Sequence, residues 1–430
     1  MNLTGLPHYE RMRQPFYRKV KNMEKKIEKY DVVIIGGGAA GLTAAIYCGR
    51  AKLNTLVIEK TLVGGLITYT NEIENYPGFP EGNTGLGLMD LFHKQAKKFG
   101  VKFKLTDVKG VQLEGETKVV ETFRTNYECK AVIVAAGTKP RLTGALGEEK
   151  YLYDKGISFC ATCDAAANTD KTVIVIGSGD AAIEEGMFLT KFAKKVIVSV
   201  MHDEGVMDCN EIAKADALAN PKMEFIWNTT VYEFRGDEEH LRSVALKNTK
   251  TGEIIDVPVD TCFLFIGYIP ATDMYRDVLN LVGPGYITTT EKMETNVPGV
   301  FAAGDVRNKW LRQVSTAVGD GAIAGCAAEK YIAESETFHT QIMGQNVPNL
   351  VYIWNAVNQE SRNLLPMFEE IEQAHNGALK VTRIDVYKSN GLAVRLGVND
   401  GPAVVYIKDG KIAGTLTSGI TKEAVENLMK

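Results

Sequence analysis

The sequence predicts an α/β fold in which one α/β unit is inserted into another and a smaller α/β unit follows at the carboxyl end. Two observations predict the pair of units. A Gly-rich turn lies between an apolar strand and a helix at residues 36–41, and the same arrangement recurs at residues 177–182. A third observation, an apolar strand that ends in Gly304-Asp305, indicates that the first unit is completed only after the second one.

Length and composition exclude several classes of protein. The 430 residues are too many for one core and predict two or three domains. The net charge of -4 gives no reason to expect nucleic acid or an anionic membrane as a partner, and no apolar run approaches the roughly 18 residues of a membrane span. Seven cysteines, an odd and sparse number, argue against a secreted disulfide framework and favour the reducing cytoplasm.

Residues 1–29 form a basic, polar extension without the apolar core of a signal peptide. Met23 precedes the first strand closely enough to be a natural start. We interpret the extension as a disordered segment or an upstream start; an organelle transit peptide is the weaker alternative, because acidic residues interrupt it.

The first Gly-rich turn has the context of a dinucleotide site. It follows the apolar run Asp31–Ile35, opens a helix that reaches about Arg50, and is followed about 20 residues later by Glu59 at the end of the next strand. Glycines allow a tight turn and close approach of a pyrophosphate to the helix N-terminus, and an acid holds a ribose hydroxyl. The predicted binding residues of the turn are Gly36, Gly38, Ala39, Ala40 and Gly41.

The second Gly-rich turn follows the apolar strand Thr172–Ile176 and precedes a helix over Ile183–Phe192. Gly177 and Gly179 retain the pattern, and Ala182 replaces its last glycine, which still permits close packing of helix on strand. This repeat predicts a second nucleotide site, or a domain descended from one.

A Cys-x-x-Cys pair, Cys160 and Cys163, lies between the two turns. One thiolate of such a pair attacks a substrate disulfide and the second resolves the mixed disulfide, provided that something reduces the pair again. A zinc half-site is the alternative, but it requires a second Cys-x-x-Cys or nearby histidines, which the sequence lacks. The other cysteines are scattered and are interpreted as core or surface residues.

Taken together, these motifs resemble the low-molecular-weight thioredoxin reductases over roughly Asp31–Ala333. Besides the first turn and the Cys pair followed by Asp164, the resemblance rests on Gly64-Gly65, Ile73–Phe79, Ala136–Arg141, Gly299–Asp305 and Leu311–Val314.

The resemblance implies two Rossmann-like, three-layer ββα dinucleotide-binding domains and a homodimer. An FAD-binding domain is expected over residues 30–141 and 268–333, and a pyridine-nucleotide-type domain with the Cys pair over 142–267. Cys163 is then expected to face the flavin, Cys160 to attack the protein disulfide of a thioredoxin or thioredoxin-like partner, and Asp164 to act as acid and base. Beyond the first turn and Glu59, the resemblance assigns cofactor contacts to Gly65, Asn75, Gly137, Asp305, Arg312, Gln313 and Val314.

The electron donor stays open at this point. Family members that use NADPH carry arginines just beyond the second strand of the inserted domain, where they bind the 2′-phosphate. Here that stretch, Val198–Met207, has no arginine and contains Asp203 and Glu204. NADH lacks a well-placed ribose-binding acid, since Asp203 lies too late. Reduced ferredoxin, used by relatives that have lost nucleotide-binding residues, is the third alternative.

The carboxyl end resembles thioredoxin. After a polar linker over 334–346, residues 347–430 show a strand, a helix over Ser361–His375, a further strand, a hairpin about Asp409-Gly410 and a closing helix. Asn358 and Ser361 stand at the two cysteine positions, and Pro402 matches the cis-proline of thioredoxins. We expect a thioredoxin-like domain that has lost the redox cysteines. Such a domain either docks a partner or contributes only packing.

Three functions remain as hypotheses. The first is an FAD-dependent disulfide reductase of the thioredoxin-reductase type. The second is a dithiol oxidase that passes electrons from a dithiol through flavin to oxygen. The third is an adaptor that recruits a redox partner through its thioredoxin-like domain, and the complete Cys-x-x-Cys-Asp sequence argues against it.

Overall fold

The structure is a computed structural model that describes residues 25–69, 73, 75–152 and 155–430. The chain divides into two compact units, the first ending at Gly325 and the second spanning Cys326–Lys430. The predicted extension over residues 1–29 lies outside the described residues as far as residue 24. Its last residues already belong to the first strand, which begins at Lys26.

The first unit opens with a mixed sheet whose strand order is β3-β2-β1-β6-β5-β4. Strands β1, β2, β3 and β6 are parallel to one another, and β5 is antiparallel to both of its neighbours, β4 and β6. The elements are β1 Lys26–Ile35, α1 Ala39–Arg50, β2 Thr55–Glu59, α2 Gly85–Lys98, β3 Lys102–Leu105, β4 Val108–Gln112, β5 Lys118–Thr122 and β6 Thr125–Val134.

Strand β1 is longer than its apolar run, Asp31–Ile35, predicts. Its early residues, from Lys26, pair in parallel with β6 from Thr125. They are mostly exposed, so they carry no apolar signal, whereas Val32–Ile34 are fully buried at the centre of the sheet. Parallel strands that are covered on both faces are apolar throughout. The sequence pattern therefore detects only the covered part of β1.

The inserted domain repeats this plan. Its parallel sheet has the order β11-β10-β9-β15-β8, and a three-stranded antiparallel sheet has the order β12-β13-β14. The short strand β7 Thr138–Pro140 precedes this domain. The elements of the domain are β8 Ile157–Ser158, α3 Ala161–Asp164, β9 Thr172–Ile176, α4 Asp180–Leu189, β10 Lys195–Ser199, α5 Glu211–Ala219, β11 Met223–Ile226, β12 Thr229–Gly236, β13 Leu241–Asn248, β14 Ile254–Pro258 and β15 Thr261–Leu264. The duplication predicted from the two Gly-rich turns is therefore present in the fold.

The chain then returns to the first sheet. β16 Tyr268–Pro270 pairs with β7, where the chain had left, and β19 Val300–Ala302 pairs in parallel with the end of β6. The remaining elements are the short pair β17 Leu281–Val282 and β18 Tyr286–Ile287 and the helix α6 Val314–Thr337. This return places Gly304-Asp305, directly after β19, at the same sheet edge as the first Gly-rich turn.

The second unit is a four-stranded sheet of order β21-β20-β22-β23 with a core on each face. Leu350 and Tyr352 of β20 pack on one face with Phe368, while Val351 and Ile353 pack on the other. The elements are β20 Asn349–Trp354, α7 Gln359–Asn363, α8 Leu365–Ala374, β21 Lys380–Asp385, α9 Val386–Arg395, β22 Ala403–Lys408, β23 Lys411–Leu416 and α10 Lys422–Leu428.

Three local expectations for this region need correction. The predicted linker over 334–346 is largely helical, since α6 continues to Thr337 and a π-helical turn covers Phe338–Met343, whose Ile342 is fully buried in the core. The predicted helix Ser361–His375 belongs to two helices, α7 and α8, and ends at Ala374. Helix α9 was not predicted.

Among the described residues, no helix combines the length and the apolar character that a membrane crossing requires.

Candidate active site

The first Gly-rich turn is shaped by steric contacts that only glycine tolerates. Gly36 has a φ of 109°, and a Cβ on it would lie 2.2 Å from the Ala135 carbonyl oxygen. A Cβ on Gly41 would lie 1.9 Å from the carbonyl oxygen of Gly36. The turn therefore places the start of α1 directly against the sheet edge.

The N-terminus of α1 is suited to an anion. Its N-cap is Gly38, no side chain caps the helix, and its first turn contains no acidic residue. Ala39 and Ala40 follow, with side chains too small to cover the backbone. Unpaired N–H groups and the helix dipole favour negative charge at such a terminus.

Glu59 ends β2 beside this turn. Its Oε2 accepts a hydrogen bond from the Gly37 backbone at 2.8 Å, and its Oε1 accepts from the backbones of Lys60 at 2.7 Å and Thr61 at 3.1 Å. These bonds fix the carboxylate at the place where a ribose hydroxyl is bound in dinucleotide folds.

Gly65 lies on the other side of the turn. Gly64 forms a bridge with Gly38, and a Cβ on Gly65 would lie 3.1 Å from the Gly38 Cα. Gly137, at the exit from β6, has a φ of 66°. Both glycines keep the backbone free of side-chain bulk beside the turn.

Asp305 reaches the same site from the returning segment. A Cβ on Gly304, which has a φ of 80°, would lie 2.8 Å from the Ala40 side chain, so this segment packs directly on α1. The Oδ1 of Asp305 is shielded from solvent and has no hydrogen-bond partner among the described residues. The Lys309 Nζ lies 3.9 Å from it. Burial raises the pKa of this carboxyl above its ordinary value.

A buried charge cluster supports that segment. Asp320 of α6 accepts hydrogen bonds from the Gly304 backbone at 3.0 Å, from Arg307 at 2.8 Å and from Lys309 at 2.9 Å. Asp320 and Lys309 are both almost fully buried. Since buried charges are tolerated only when they are paired, this cluster fixes the loop that carries Asp305.

Arg312, Gln313 and Val314 follow this loop. The Arg312 guanidinium lies 4.1 Å from the centre of the Tyr286 ring, a cation–π contact. Val314 begins α6 and packs with Ala39 in a small apolar cluster. The side chain of Gln313 points towards the Cys pair.

The Cys pair forms a disulfide at the start of the short helix α3, with a Cα–Cα distance of 5.3 Å. Both cysteines are half-buried. Asp164, one residue beyond Cys163, accepts a hydrogen bond from the Ser158 hydroxyl at 2.5 Å, and Ser158 also accepts from the Cys160 backbone at 3.2 Å. Ser158, which the sequence analysis missed, therefore connects the acid to the backbone of the first cysteine.

A chain of side-chain contacts joins the Cys pair to the first domain. Asn75 donates to the Gln313 Oε1 at 3.2 Å, and the Gln313 Nε2 donates to the Thr162 hydroxyl at 3.2 Å. That hydroxyl lies 3.4 Å from the Cys160 Sγ. Residues predicted from three separate motifs thus meet at one place.

Two further residues near the pair carried no sequence signal. Burial raises the pKa of the Glu185 carboxyl of α4. A hydrogen bond from the Thr162 backbone lowers the pKa, but this effect is smaller than that of burial. The Tyr268 hydroxyl donates to the Phe159 carbonyl at 2.6 Å, and burial raises its pKa to about 12. Glu185 follows Glu184 on a helix, and nothing in such a pair distinguishes one carboxyl from the other.

The second Gly-rich turn is separate from this group. Gly177 has a φ of 131°, and a Cβ on it would lie 2.6 Å from the Phe265 carbonyl oxygen. Ala182 is fully buried in the apolar core between α4 and the sheet. A Cβ on Gly179 would meet no atom within 4 Å. Packing within the domain therefore accounts for Gly177 and Ala182 but not for Gly179.

The remaining five cysteines are outside the disulfide. Cys48, Cys129, Cys209 and Cys262 are buried, and Cys326 is exposed. Burial raises the pKa of the Cys129 thiol to about 12. Within the described residues, no group of three or more His, Cys, Asp or Glu side chains is arranged to hold a metal ion.

In the second unit, the two positions that correspond to thioredoxin's cysteines serve structure. The Asn358 side chain accepts from the Ser361 backbone at 3.0 Å and caps α7. The buried Ser361 hydroxyl accepts from the Asn355 backbone at 2.9 Å, and the Tyr352 hydroxyl donates to the Ser361 carbonyl at 2.6 Å. The Gly401–Pro402 peptide bond is cis.

The sequence and fold were compared with those of known proteins. The family described as pyridine nucleotide-disulphide oxidoreductase matches residues 30–321, and the thioredoxin family matches residues 329–430. A thioredoxin reductase of Peptoclostridium acidaminophilum is 44% identical over 309 residues, which cover 70% of this chain and 97% of the relative. One of Bacillus subtilis (strain 168) is 42% identical over 318 residues, which cover 74% of this chain and 99% of the relative.

Among solved structures, the thioredoxin reductase of Streptococcus pyogenes MGAS5005 is similar with a TM-score of 0.66 at 41% sequence identity. The similarity covers 71% of this chain and 98% of that one. The predicted α/β fold, with two Rossmann-like domains and a thioredoxin-like domain, is confirmed by these matches and by the sheets described above.

Proposed function

The chain belongs to the pyridine nucleotide-disulphide oxidoreductase family, and on that premise we propose that it is a flavin-dependent disulfide reductase acting on a thioredoxin-like protein. The observation that carries the proposal is the link Asn75–Gln313–Thr162, which brings the Cys160–Cys163 disulfide to the predicted flavin segments. We propose that the protein works in the cytoplasm, as its sparse cysteines favour, and as a homodimer, as the resemblance implies.

The residues of the first domain fit FAD. The turn at Gly36–Gly41 leaves room for a pyrophosphate at the uncapped α1 terminus, and Glu59 is held where a ribose hydroxyl is bound. The shielded Oδ1 of Asp305 accepts no hydrogen bond from the described residues, and a hydroxyl of the flavin side chain would supply the missing donor. When bound, FAD supplies a carrier that takes two electrons from a donor and passes them to a disulfide.

In the proposed reaction Cys163 receives an electron pair, the Cys160–Cys163 bond breaks, and Cys160 leaves as a thiolate. The Cys160 thiolate then attacks the substrate disulfide, forms a mixed disulfide and releases one substrate thiolate. Cys163 attacks the Cys160 sulfur, which releases the second substrate thiolate and restores the starting disulfide. Two electrons and two protons have then reached the substrate.

Asp164 is the proposed acid and base for these protons. Its contact with Ser158 at 2.5 Å holds the carboxylate at the base of α3, one residue from Cys163. A hydroxyl that donates to the carboxylate also fixes its orientation, which a proton-transfer group requires. Glu185 is a second carboxyl next to α3, held against the Thr162 backbone.

The exposed thiol of Cys326 offers a matched control for the test. Protein loaded with FAD is reduced with dithionite under anaerobic conditions and mixed with oxidised thioredoxin, and the released thiols are measured. We expect Cys160→Ser to abolish thiol release while its flavin is still bleached, and Cys326→Ser to behave as wild type. Full thiol release by Cys160→Ser would refute the proposal.

The same preparations test the two other functions. A dithiol oxidase would consume oxygen when given a dithiol and would leave oxidised thioredoxin unchanged. An adaptor would bind its partner equally well after Cys160→Ser and Cys163→Ser. The donor, whether NADH, NADPH or reduced ferredoxin, gives up its electrons before all these steps.

A further inference from the structure

A segment of the inserted domain lies across the second Gly-rich turn. This covering segment, Met201–Asn210, connects β10 to α5. The Asp208 backbone donates to the Ser178 carbonyl at 3.0 Å, and the Ser178 hydroxyl donates back to the Asp208 Oδ2 at 3.1 Å. Asp208 also forms a bridge with Gly179. Asp208 is therefore held against the turn by two hydrogen bonds with Ser178, one that its backbone donates and one that its carboxylate accepts.

His202 secures the same carboxylate from the other end of the segment. Its Nε2 lies 2.8 Å from the Asp208 Oδ2, and its carbonyl accepts from the Asn228 backbone at 2.9 Å. The hydrogen bond from His202, followed by that from Ser178, lowers the pKa of Asp208. Asp208 is therefore negatively charged at neutral pH.

A second carboxylate stands at the start of α4. Asp180 is the first residue of this helix, and its Oδ1 accepts from the Asn210 backbone at 2.7 Å and from the Asn210 side chain at 2.9 Å. The first domain differs here, because α1 has no acidic residue in its first turn. The second helix thus carries an acid at its first position, where the first helix has Ala39.

The charges that recognise a dinucleotide are missing or already paired. The covering segment contains no Lys or Arg. Asp203, which lies too late in the sequence to hold an NADH ribose, forms an ion pair with Lys250. A pyrophosphate approaching Gly179 would meet Asp180 and Asp208, and the covering segment offers it no arginine.

We propose that Asp208, held by Ser178 and His202, is a specificity-determining residue that occupies the pyrophosphate position of the second turn and excludes NADH and NADPH. The inference deepens the proposed function and rests on it. The family implies a pyridine nucleotide, and the residues of this chain do not fit one. Electrons then reach the flavin from a reductant that does not use the second turn, such as a reduced ferredoxin.

The test compares wild type with Asp208→Ala and, as matched control, Asp203→Asn. The control removes one negative charge from the same segment, but at an exposed position paired with Lys250. Binding of NAD⁺ and NADP⁺ to the FAD-loaded protein is measured by calorimetry, and anaerobic bleaching of the flavin is measured with NADH, NADPH and reduced ferredoxin.

We expect that neither NAD⁺ nor NADP⁺ binds saturably to wild type or to Asp203→Asn. The flavin of both proteins should be bleached by reduced ferredoxin and not by NADH or NADPH. Asp208→Ala should bind at least one nucleotide saturably, about tenfold or more above the detection limit set by wild type, since removing one repulsive charge contact of about 1.4 kcal/mol changes affinity tenfold. Should Asp208→Ala misfold, as judged by lost FAD binding, Asp208→Asn removes the charge while keeping the shape.

Micromolar binding of either nucleotide by wild type would overturn the proposal, and so would unchanged binding in both Asp208 variants. Neither result affects the proposed function, because thiol release from thioredoxin by dithionite-reduced protein does not depend on the donor. Loss of that thiol release in wild type would instead refute the reductase function.

Discussion

Gln313 donates from its Nε2 to the Thr162 hydroxyl at 3.2 Å, and this one bond connects the segment before α6 to the helix that carries the redox disulfide. The same Gln313 accepts from Asn75. In the proposed reaction the Cys pair meets both the flavin and an external protein, and a contact that is partly exposed and easily broken suits that role.

Removal of this bond should slow electron transfer to the disulfide. Thr162→Val deletes the acceptor hydroxyl without altering the flavin segments, and one such bond is worth roughly 0.5–1.5 kcal/mol. We expect the rate at which reduced flavin is reoxidised by the Cys pair, followed by stopped-flow absorbance, to fall up to about tenfold. Gln313→Ala should give the same loss, and an unchanged rate in both variants would contradict it.

Asp305→Asn should weaken FAD binding, since it replaces an ionised acceptor by a neutral amide. Hydrogen bonds to charged groups are worth about 1.5–3 kcal/mol, so the dissociation constant should rise roughly tenfold to a hundredfold. Equilibrium dialysis of FAD against the apoprotein measures it. An unaltered FAD affinity would remove Asp305 from the site.

The same substitution has a predictable effect on stability. The folded-state pKa of Asp305 lies above the ordinary 3.8, so the folded protein binds this proton more tightly than the unfolded chain does. Wild type therefore loses stability as the pH rises from below 3.8 through the raised pKa. The FAD-free Asn variant should become more stable relative to wild type over that range, as measured by urea unfolding at a series of pH values.

Asp320→Asn should destabilise the first unit strongly. Arg307 and Lys309 would remain largely buried with their main acceptor neutralised, a change that costs about 3–5 kcal/mol. The matched control is Asp273→Asn, which breaks an exposed ion pair with Arg276 and should cost less than about 1 kcal/mol. Denaturant unfolding of the FAD-loaded protein compares the two, and equal losses would exclude the role given to Asp320.

Ser361→Ala should destabilise the second unit without affecting disulfide reduction. The Asn355 backbone N–H would lose its acceptor in a buried site, which costs about 1–3 kcal/mol. Ser418→Ala, at an exposed serine of the same unit, should cost almost nothing. Thermal unfolding followed by circular dichroism reports the difference, and a loss of thioredoxin reduction in Ser361→Ala would show that the position is more than structural.

The sequence predicted the elements around both Gly-rich turns because buried parallel strands are apolar along their whole length and glycines mark the turns between strand and helix. It did not predict α9, whose sequence contains Gly391 and a non-helical Ser389. Gly391 lies close to the carboxylate of Glu334, a tertiary contact that no local pattern contains.

The residues of the candidate site likewise fall into those that a sequence motif predicts and those that it does not. Residues inside a motif, such as Cys160 and Glu59, could be predicted. Ser158, Asp320 and Asp208 could not, because each acts through a partner that the fold brings near and each stands in the sequence as an ordinary polar residue.

The distribution of the cysteines provides a chemical readout of the redox state. In the oxidised protein only Cys326 is both exposed and outside a disulfide, so an alkylating reagent should modify one sulfur quickly. Once the disulfide opens, Cys160 and Cys163 join it, while the other thiols are buried away from the reagent and react slowly. The mass added in a brief pulse of reagent therefore reports how many molecules hold a reduced pair, whatever the colour of the flavin.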